Sequence, residues 1–531
     1  MNKLLILILV LAAVLRFYKL DSFPVSLYWD EAAIGYNAYS ISQTGSDEYA
    51  QKTPLLFRSF DEYKLPGYIY TDAFLLKFFP LSAFWVRFPS AFFGSLSVLL
   101  IYFLVKKISA RPDLALCTSF LLAISPWHIQ FSRAAFESNL ALAQVLLGTV
   151  LIFYGFKNRL LAGVAIPILA SSLYSYYSPR IFVPLILVAI FFLYKNDLKK
   201  NFKYFSLGLV ISAFVLVPFI KETFSPQGLK RIQEVSIFED KSIIQNYVQA
   251  KQPKNDLLST VFLNRRIPLF FILGHNYFSH FSPGFLFFGD DPNPRHKSAF
   301  HGNLYLIEIP FLLIGLWLLL KTGDRKFKFF VLVWLLISPI PAAFAKDSPH
   351  GLRALFMIVP LMIISSLGFL FVLKFKWSKI ILPFIVIISV INYLFTYYAV
   401  YPVASSTSWA YGYEEAFRKT KAQEFRYDTI IFTGYYWKPY IFYLFYNKIN
   451  PANYGRNQQN IGKYKFGTTG WDGAGKNLDY ESIEKLKSER TLLVISPAEL
   501  EVLQYKERFI KLETVNDYSG KNAIFYLGEW H

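Results

Sequence analysis

The sequence predicts an all-α polytopic membrane protein with about 11 transmembrane helices, followed by a small C-terminal α/β domain. The chain has 531 residues, of which 54% are hydrophobic and only 17% are charged. Soluble domains usually carry about 25% charged residues, so the composition excludes an ordinary soluble protein. Most apolar blocks approach or exceed the ~18 residues of a membrane-spanning helix. The blocks are Leu4–Tyr18, Phe93–Val105, Ala115–Ile124, Leu140–Phe156, Leu160–Tyr174, Ile181–Tyr194, Phe205–Ile220, Leu304–Leu320, Phe327–Phe344, Leu352–Leu373 and Ile380–Val400.

Basic residues concentrate in every second loop between the apolar blocks, as the positive-inside rule requires of cytoplasmic loops. The net charge of +19 therefore reflects membrane topology, and a nucleic-acid partner is not expected. We expect the N-terminus in the cytoplasm and the C-terminal domain outside, with Arg16 and Lys19 as local exceptions. The basic loop residues are Lys106, Lys107, Arg111, Lys157, Arg159, Lys195, Lys199, Lys200, Lys203, Lys321, Arg325, Lys326, Lys328, Lys374, Lys376 and Lys379.

The first apolar block and the single cysteine both bear on the limits of the predicted membrane core. The first block is expected to be an uncleaved span, because Arg16 to Lys19 stand where a signal peptide would have small residues. Cys117, the single cysteine, lies in a predicted span and excludes disulfides. We therefore predict a membrane core over residues 1–400, with outward loops at about 21–85 and about 221–303, and an extracytoplasmic domain over residues 401–531.

The C-terminal region changes to a soluble pattern of alternating strands and helices. A small α/β domain is expected, because short apolar runs are separated by amphipathic segments. The predicted strands are Asp428–Thr433, Thr491–Ser496 and Asn522–Leu527, and the predicted helices are Glu414–Lys421, Lys438–Tyr446 and Ser482–Ser488.

Two adjacent carboxylates, Asp30 and Glu31, follow the first predicted span, at the membrane surface. One interpretation is structural: Asp30 is an N-cap and Glu31 lies in the first turn of an amphipathic helix over Glu31–Ser42. The other is a general base, which needs a partly desolvated carboxylate near the proton that it accepts. The two interpretations are compatible, because a helix N-terminus can hold a carboxylate in place.

Further charged residues occupy the same loop. Asp61, Glu62 and Lys64 precede the turn residues Pro66 and Gly67, and they form either a solvated turn or part of a site. Asp47 and Glu48 have polar neighbours and are expected in an exposed loop.

Several later outward loops carry cations near the ends of spans. Each cation alone is expected to be an interfacial or loop contact. Together with their aromatic neighbours they predict a pocket for an anionic head group, and arginine suits a phosphate because its planar fork donates two hydrogen bonds. These cations are His128, Arg133, Arg180, Arg295, His296, His301, His350 and Arg353.

Metal binding is the weaker alternative for the long loop. Asp290, Asp291, His296 and His301 offer oxygen and nitrogen ligands, but the spacing matches no compact metal motif. Prolines at 292 and 294 favour a turn instead. No cofactor is predicted with certainty, and a divalent metal stays an open alternative.

Three segments resemble the GT-C glycosyltransferases. The segments Trp29–Tyr36 and Phe60–Tyr68 resemble the acidic motif and the later Phe-Glu-Lys-Pro-Pro segment of that superfamily, and Arg87–Ser90 resembles its Arg-x-Pro stretch. The nearest branches are the dolichyl-phosphate-mannose–protein mannosyltransferases and the bacterial aminoarabinose transferases, the glycosyltransferase family 39-like group. An insertion at 61–65 leaves open which of Asp61, Glu62 and Lys64 matches each functional position.

The resemblance implies transfer of a sugar from a polyprenyl phosphate to an acceptor on the outer face of the membrane. The acceptor is a protein, a lipid or a cell-envelope glycan. Asp30 would take the proton from the acceptor hydroxyl, and Glu31 would orient the acceptor or support Asp30. Lys64, Arg133, His350 and Arg353 would stabilise the leaving phosphate. We find no nucleotide-binding glycine loop, in agreement with a lipid-linked donor.

Two other classes of function compete with this one. A transporter or flippase of a lipid-linked sugar would show repeated halves and charges within its spans, whereas the ionisable residues here gather in loops. A non-enzymatic scaffold that displays the C-terminal domain would not need the acidic pair.

Overall fold

A computed structural model describes residues 3–60, 62–239, 266–436, 438–454, 457–467, 490–503 and 506–530. The chain divides into two compact units. We call Met1–Tyr18, Leu65–Gly67 and Pro89–Thr396 the helical unit, and Lys19–Lys64, Tyr68–Phe88 and Tyr397–His531 the mixed unit. The mixed unit thus joins the first predicted outward loop and the C-terminal segment.

The described part of the chain is mainly helical, and a helix occupies each apolar block of the sequence. The helices are Lys3–Phe17, Trp29–Thr44, Pro66–Leu75, Ala83–Ser109, Pro112–Ile124, Pro126–Ser132, Glu137–Gly155, Arg159–Ser171, Pro179–Leu198, Phe202–Thr223, Pro226–Val235, Arg266–Ser279, Glu308–Lys321, Arg325–Ile337, Ile340–Ala343, Ile358–Val372, Ser378–Phe395, Tyr401–Ser405, Tyr413–Gln423, Pro439–Tyr446 and Pro497–Val502.

The expected count of about 11 spans is not confirmed. Among the described residues, six helices are long and apolar enough to cross a membrane, or seven if the bent pair Pro112–Ile124 and Pro126–Ser132 is one span. Arg325–Ile337 and Ile358–Val372 reach the ~18 residues of a perpendicular crossing only with their adjoining turns, as Arg325–Ala343 and Leu355–Val372. Four other predicted spans are helices of 13 to 15 residues and fall short of that length; they are Lys3–Phe17, Pro112–Ile124, Arg159–Ser171 and Glu308–Lys321. Two predicted spans also merge into one helical run, Pro179–Thr223.

Two buried arginines cap helix ends in the helical unit. Arg133 Nη1 donates to the carbonyls of Leu15 and Arg16, at 3.0 and 3.1 Å, and its Nη2 donates to Tyr18 O at 2.7 Å. Arg16 in turn donates to the carbonyls of Leu122 and Ala123 at the end of Pro112–Ile124. The last carbonyls of a helix have no partner within it, so these guanidinium groups satisfy them. Arg16 is therefore a packed capping residue, which explains its exception to the charge rule.

The mixed unit contains a six-stranded sheet of order β4-β5-β3-β6-β8-β7. Strand β3 is parallel to β5 and β6, and the other pairs are antiparallel. Every residue of β3 and β6 is buried, as expected for central parallel strands. A separate hairpin, β1-β2, precedes it in the chain. The strands are Phe57–Ser59 (β1), Glu62–Lys64 (β2), Thr429–Phe432 (β3), Asn460–Ile461 (β4), Tyr464–Phe466 (β5), Thr491–Ile495 (β6), Phe509–Asn516 (β7) and Ala523–Trp530 (β8).

The predicted C-terminal α/β region is confirmed in its main elements. All three predicted strands are present as β3, β6 and β8, and two predicted helices are present as Tyr413–Gln423 and Pro439–Tyr446. Strands β4, β5 and β7 were not predicted. The predicted helix Ser482–Ser488 lies outside the described residues.

Candidate active site

The helix Trp29–Thr44 positions the acidic pair. Its N-cap is Tyr28, in an extended conformation, and it ends at Gly45 with φ 71°. The expectation that Asp30 is the N-cap is wrong, because the helix begins two residues earlier than predicted and both carboxylates lie in its first turn. Negative charge is stabilised there, since the unpaired N–H groups and the helix dipole are positive at that end.

Asp30 is paired with Lys64, which lies at the end of strand β2. The Lys64 Nζ atom is 2.5 Å from Asp30 Oδ1 and 3.3 Å from Glu62 Oε1. The side chain of Lys64 is 9% exposed, whereas those of Asp30 and Glu62 are 19% and 17% exposed. The structure thus brings three of the predicted site residues together, with one cation between two partly accessible carboxylates.

Glu31 has a different environment from its neighbour, because its side chain is fully buried against Arg87. The Glu31 carboxylate accepts from Arg87 Nε at 2.9 Å and from Arg87 Nη2 at 3.0 Å. Arg87 also donates to the carbonyls of Leu20, Pro24 and Ser26. The pair therefore ties the start of the acidic helix to the preceding loop, and Asp30 is the carboxylate of the two that a substrate can reach.

A further carboxyl group, Asp72 on helix Pro66–Leu75, was not predicted. Asp72 is fully buried in the mixed unit, and neither of its carboxyl oxygens has a hydrogen-bond partner in the described structure. Burial raises the pKa of Asp72 well above its usual value, and the charge of Glu31 adds to the effect. The only signal in the sequence was that Asp72 is a single aspartate in an otherwise apolar helix.

The prediction that Asp47 and Glu48 lie in an exposed loop is wrong. Their exposures are 3% and 2%. Glu48 N donates to Asn37 Oδ1 at 3.1 Å, and Asn37 Nδ2 donates to Glu48 Oε1 at 3.4 Å. Burial raises the pKa of Glu48 to about 8. The sequence did not predict the burial of Glu48, because the tyrosines around it, among them Tyr440 and Tyr454, are distant in the chain.

The other predicted substrate-binding residues fall elsewhere. Asp61 lies outside the described residues. In the helical unit, Arg133 is fully buried and donates to helix carbonyls, as described above. Arg353 Nη1 donates to Lys346 O at 2.6 Å. Burial and the neighbouring Arg353 charge hold the pKa of His350 well below its usual value.

His350 instead joins two residues of the long loop in the helical unit. Asp291, His296 and His350 are buried, and each offers one ligand atom within 4.8 Å of the others. A divalent metal fits this donor set by chemistry, since imidazole nitrogen and carboxylate oxygen are common ligands. His301, a predicted ligand, is not in this group. The spacing of residues within the long loop could not predict this cluster, because His350 comes from a different loop.

Comparisons with known proteins concern the family and the fold of the chain. Residues 6–173 match the family model described as dolichyl-phosphate-mannose-protein mannosyltransferase. ArnT from Cupriavidus metallidurans, in the apo state, has 13% identity and a TM-score of 0.55, and the match covers 99% of this chain and 97% of that chain. No curated protein sequence gives a significant match.

An archaeal enzyme has a similar fold. The Archaeoglobus fulgidus oligosaccharyltransferase, tethered with an acceptor peptide, has 13% identity and a TM-score of 0.51, and 98% of this chain is covered. The match spans 61% to 73% of that enzyme's length in its different structures.

The fold is that of the GT-C glycosyltransferases, as the resemblance implied. The N-terminal third of the chain matches the protein mannosyltransferase model. The match over residues 6–173 and the long apolar helices support an integral membrane protein whose N-terminal third resembles the protein mannosyltransferases.

Proposed function

We propose that the protein transfers a sugar from a polyprenyl-phosphate-linked donor to the hydroxyl of an acceptor at the outer face of the membrane. The acceptor is a protein, a lipid or a cell-envelope glycan. ArnT from Cupriavidus metallidurans, which shares the fold with a TM-score of 0.52, has been determined bound to undecaprenyl phosphate. The Archaeoglobus oligosaccharyltransferase has been determined tethered with an acceptor peptide. These complexes support a lipid-phosphate donor and a separate acceptor for this chain too.

The observation that carries the proposal is the contact between Asp30 and Lys64, 2.5 Å apart. Asp30 is the base: it accepts the proton of the acceptor hydroxyl while that oxygen bonds to the anomeric carbon of the sugar. The bond from this carbon to the phosphate oxygen breaks, and the lipid phosphate leaves with the electron pair. The proton remains on Asp30 until solvent removes it.

Lys64 has two tasks in this reaction. In the described structure it neutralises Asp30 and Glu62, which keeps two carboxylates together at low electrostatic cost. An arriving phosphate offers the ammonium group a third anion, and charge that develops on the leaving phosphate is stabilised there.

Glu31 and Arg87 position the base. Their buried pair fixes the first turn of the helix that carries Asp30, so we assign Glu31 a supporting role. The expected contacts of Asp61, Arg133, His350 and Arg353 with substrate stay predictions of the sequence. The contacts of Arg133 favour the alternative that it caps a helix end.

The test is complementation of a deletion strain, read by mass spectrometry of its cell-envelope and protein glycans. The wild-type gene should restore the glycan that the deletion removes. Asp30→Asn keeps the shape of the side chain but removes the base, so we expect transfer to fall by a factor of about 10² or more. Binding of undecaprenyl phosphate to the purified variant should persist.

Asp21→Asn is the matched control, because Asp21 is an exposed aspartate that precedes the same helix. It should restore the glycan fully. Unchanged transfer by Asp30→Asn would refute the assignment of Asp30. Movement of a lipid-linked sugar across liposomes without any transfer would favour a flippase instead.

A further inference from the structure

The buried cluster Asp291, His296 and His350 lies where two loops of the helical unit meet. Asp291 Oδ2 accepts from Gly351 N at 2.6 Å, and Asp291 Oδ1 accepts from Asn293 N at 2.9 Å. His350 N donates to His280 Nε2 at 3.1 Å. Successive backbone N–H groups of the 350–351 loop are thus held by separate side chains, which fixes His350 opposite the 291–296 segment.

The ring nitrogens of the cluster converge instead of pointing to solvent. His296 Nδ1 is 3.1 Å from Asp291 Oδ2, and the rings of His296 and His350 have centroids 4.6 Å apart. The three side chains are only 2%, 4% and 9% exposed. Arg353 N is 3.4 Å from His350 Nδ1, which is long for a hydrogen bond and does not fix the tautomer of that ring. Two imidazoles packed against a buried carboxylate are polar groups, so hydrophobic packing does not explain why they are buried together.

We propose that Asp291, His296 and His350 bind one zinc ion, which fastens the 350–351 loop to the 291–296 segment. Zinc suits two imidazole nitrogens and one carboxylate oxygen, with a water as the fourth ligand. Magnesium and calcium prefer sets composed of oxygen, so they fit this site poorly.

The geometry requires only small side-chain movements. Zinc–ligand bonds of about 2.0–2.2 Å in a tetrahedron place neighbouring ligand atoms about 3.3–3.5 Å apart. The ligand atoms here lie within 4.8 Å of one another. Each pair therefore has to approach by at most about 1.5 Å to reach tetrahedral zinc distances.

The competing explanation needs no metal. In it, the contact between His296 and Asp291 alone holds the 291–296 segment together. The two explanations differ in whether they need the side chain of His350. The ion pair does not need the His350 imidazole, whereas the zinc site loses one of its three protein ligands when that ring is replaced.

The experiment measures the zinc content of the full chain, purified in detergent through an affinity tag that contains no histidine. Elemental analysis should find about one zinc per chain. Chelation should lower the Tm, and zinc chloride but not magnesium chloride should restore it. A wild-type protein that retains no zinc after incubation with zinc chloride, and whose Tm ignores the chelator, would overturn the proposal.

Variants test the three ligands. His296→Gln and His350→Gln should each weaken zinc binding at least about tenfold, and cobalt(II) should lose its visible absorption bands in both. His301→Gln is the matched control, because this histidine belongs to the same loop but not to the cluster, and it should keep the ion. Retention of zinc by His350→Gln would also contradict the proposal. If a variant does not fold, the chelation of the wild-type chain still decides the question.

Discussion

Arg87 satisfies all five of its N–H donors within the mixed unit. Nε and Nη2 bond to Glu31, Nη1 bonds to the carbonyls of Leu20 and Pro24, and Nη2 also bonds to Ser26 O. A guanidinium group has five such donors, so this arginine has none left for a phosphate. Arg87 neutralises the buried Glu31 carboxylate and holds the preceding loop in place, so it is a positioning residue.

Removal of the arginine should therefore be costly to stability. Arg87→Met leaves Glu31 buried without its cation, and we expect a loss of about 3–5 kcal/mol in the free energy of unfolding. Glu31→Gln combined with Arg87→Met should cost clearly less than the sum of the single changes, because no unpaired charge remains. Denaturation in detergent, followed by tryptophan fluorescence, measures all three variants. Additive effects would show that the ion pair contributes nothing.

Glu48 predicts a dependence of stability on pH. Its pKa of about 8 in the folded protein exceeds the usual 4.5, because burial disfavours the carboxylate. The folded state therefore binds the proton more tightly than the unfolded state. This contribution is complete below about pH 4.5 and is lost as the pH rises toward 8, by about 1.4 kcal/mol per pH unit. Asp47 adds to the effect and Arg58 opposes it.

Glu48→Gln tests this linkage. The amide does not titrate, so Tm should fall less steeply between pH 5 and pH 8 in the variant than in the wild-type protein, and the variant should be the more stable above pH 8. Thermal unfolding at a series of pH values measures both slopes. Parallel curves for the two proteins would mean that Glu48 is charged in the folded state.

The helix Trp29–Thr44 is more deeply buried than its sequence indicates. Its residues 31–38 are all buried, although the segment was expected to be amphipathic. Small residues allow this close packing. A Cβ atom at Gly35 would lie 2.6 Å from Val86 Cγ2 and 2.7 Å from Phe445 Cε2. Since Val86 precedes Arg87, the packing of this glycine and the ion pair of Glu31 depend on the same short segment.

Gly35→Ala should accordingly overpack the helix. Val86 is stiff because it is β-branched, so the methyl group displaces it, and we expect a loss of about 1–3 kcal/mol in stability. Transfer activity should also decrease, because the displacement reaches Arg87. Gly163→Ala is the control, since a Cβ there meets nothing within 4 Å and alanine favours a helix. Equal Tm values for both variants would contradict the argument.

At the scale of the whole molecule, the sequence predicted what depends on local composition. Apolar blocks located the helices because lipid requires every backbone group to be satisfied within its own segment. Helix lengths were less predictable, since the ends of Lys3–Phe17 and Pro112–Ile124 are set by capping arginines from elsewhere in the chain. The buried strands β3 and β6 were predicted, whereas β7, half of whose residues are exposed, was not, because its residues lack a regular apolar pattern.

The sequence likewise predicted only the part of the candidate site whose residues are close together in the chain. Asp30, Glu31, Glu62 and Lys64 lie in one loop, and their order carried enough information to group them. The partners Arg87 of Glu31 and Asp291 of His350 are distant in the sequence, so only tertiary packing brings them together. Burial of Asp72 and Glu48 is likewise a property of the folded chain, because each lies among residues that sequence patterns do not connect.

The orientation in the membrane is the remaining large-scale prediction, and the single cysteine makes it testable. Cys117 is buried, so Cys117→Ala provides a background without thiols at little structural cost. Lys157 in a basic loop and Lys521 in the C-terminal segment are both exposed, and each can be replaced by cysteine. If the basic loops are cytoplasmic, a membrane-impermeant maleimide should label Lys521→Cys in intact cells or spheroplasts but Lys157→Cys only after permeabilisation. The reverse pattern would place Asp30 on the cytoplasmic side with the C-terminal segment, and a donor presented at the outer face could then not reach it.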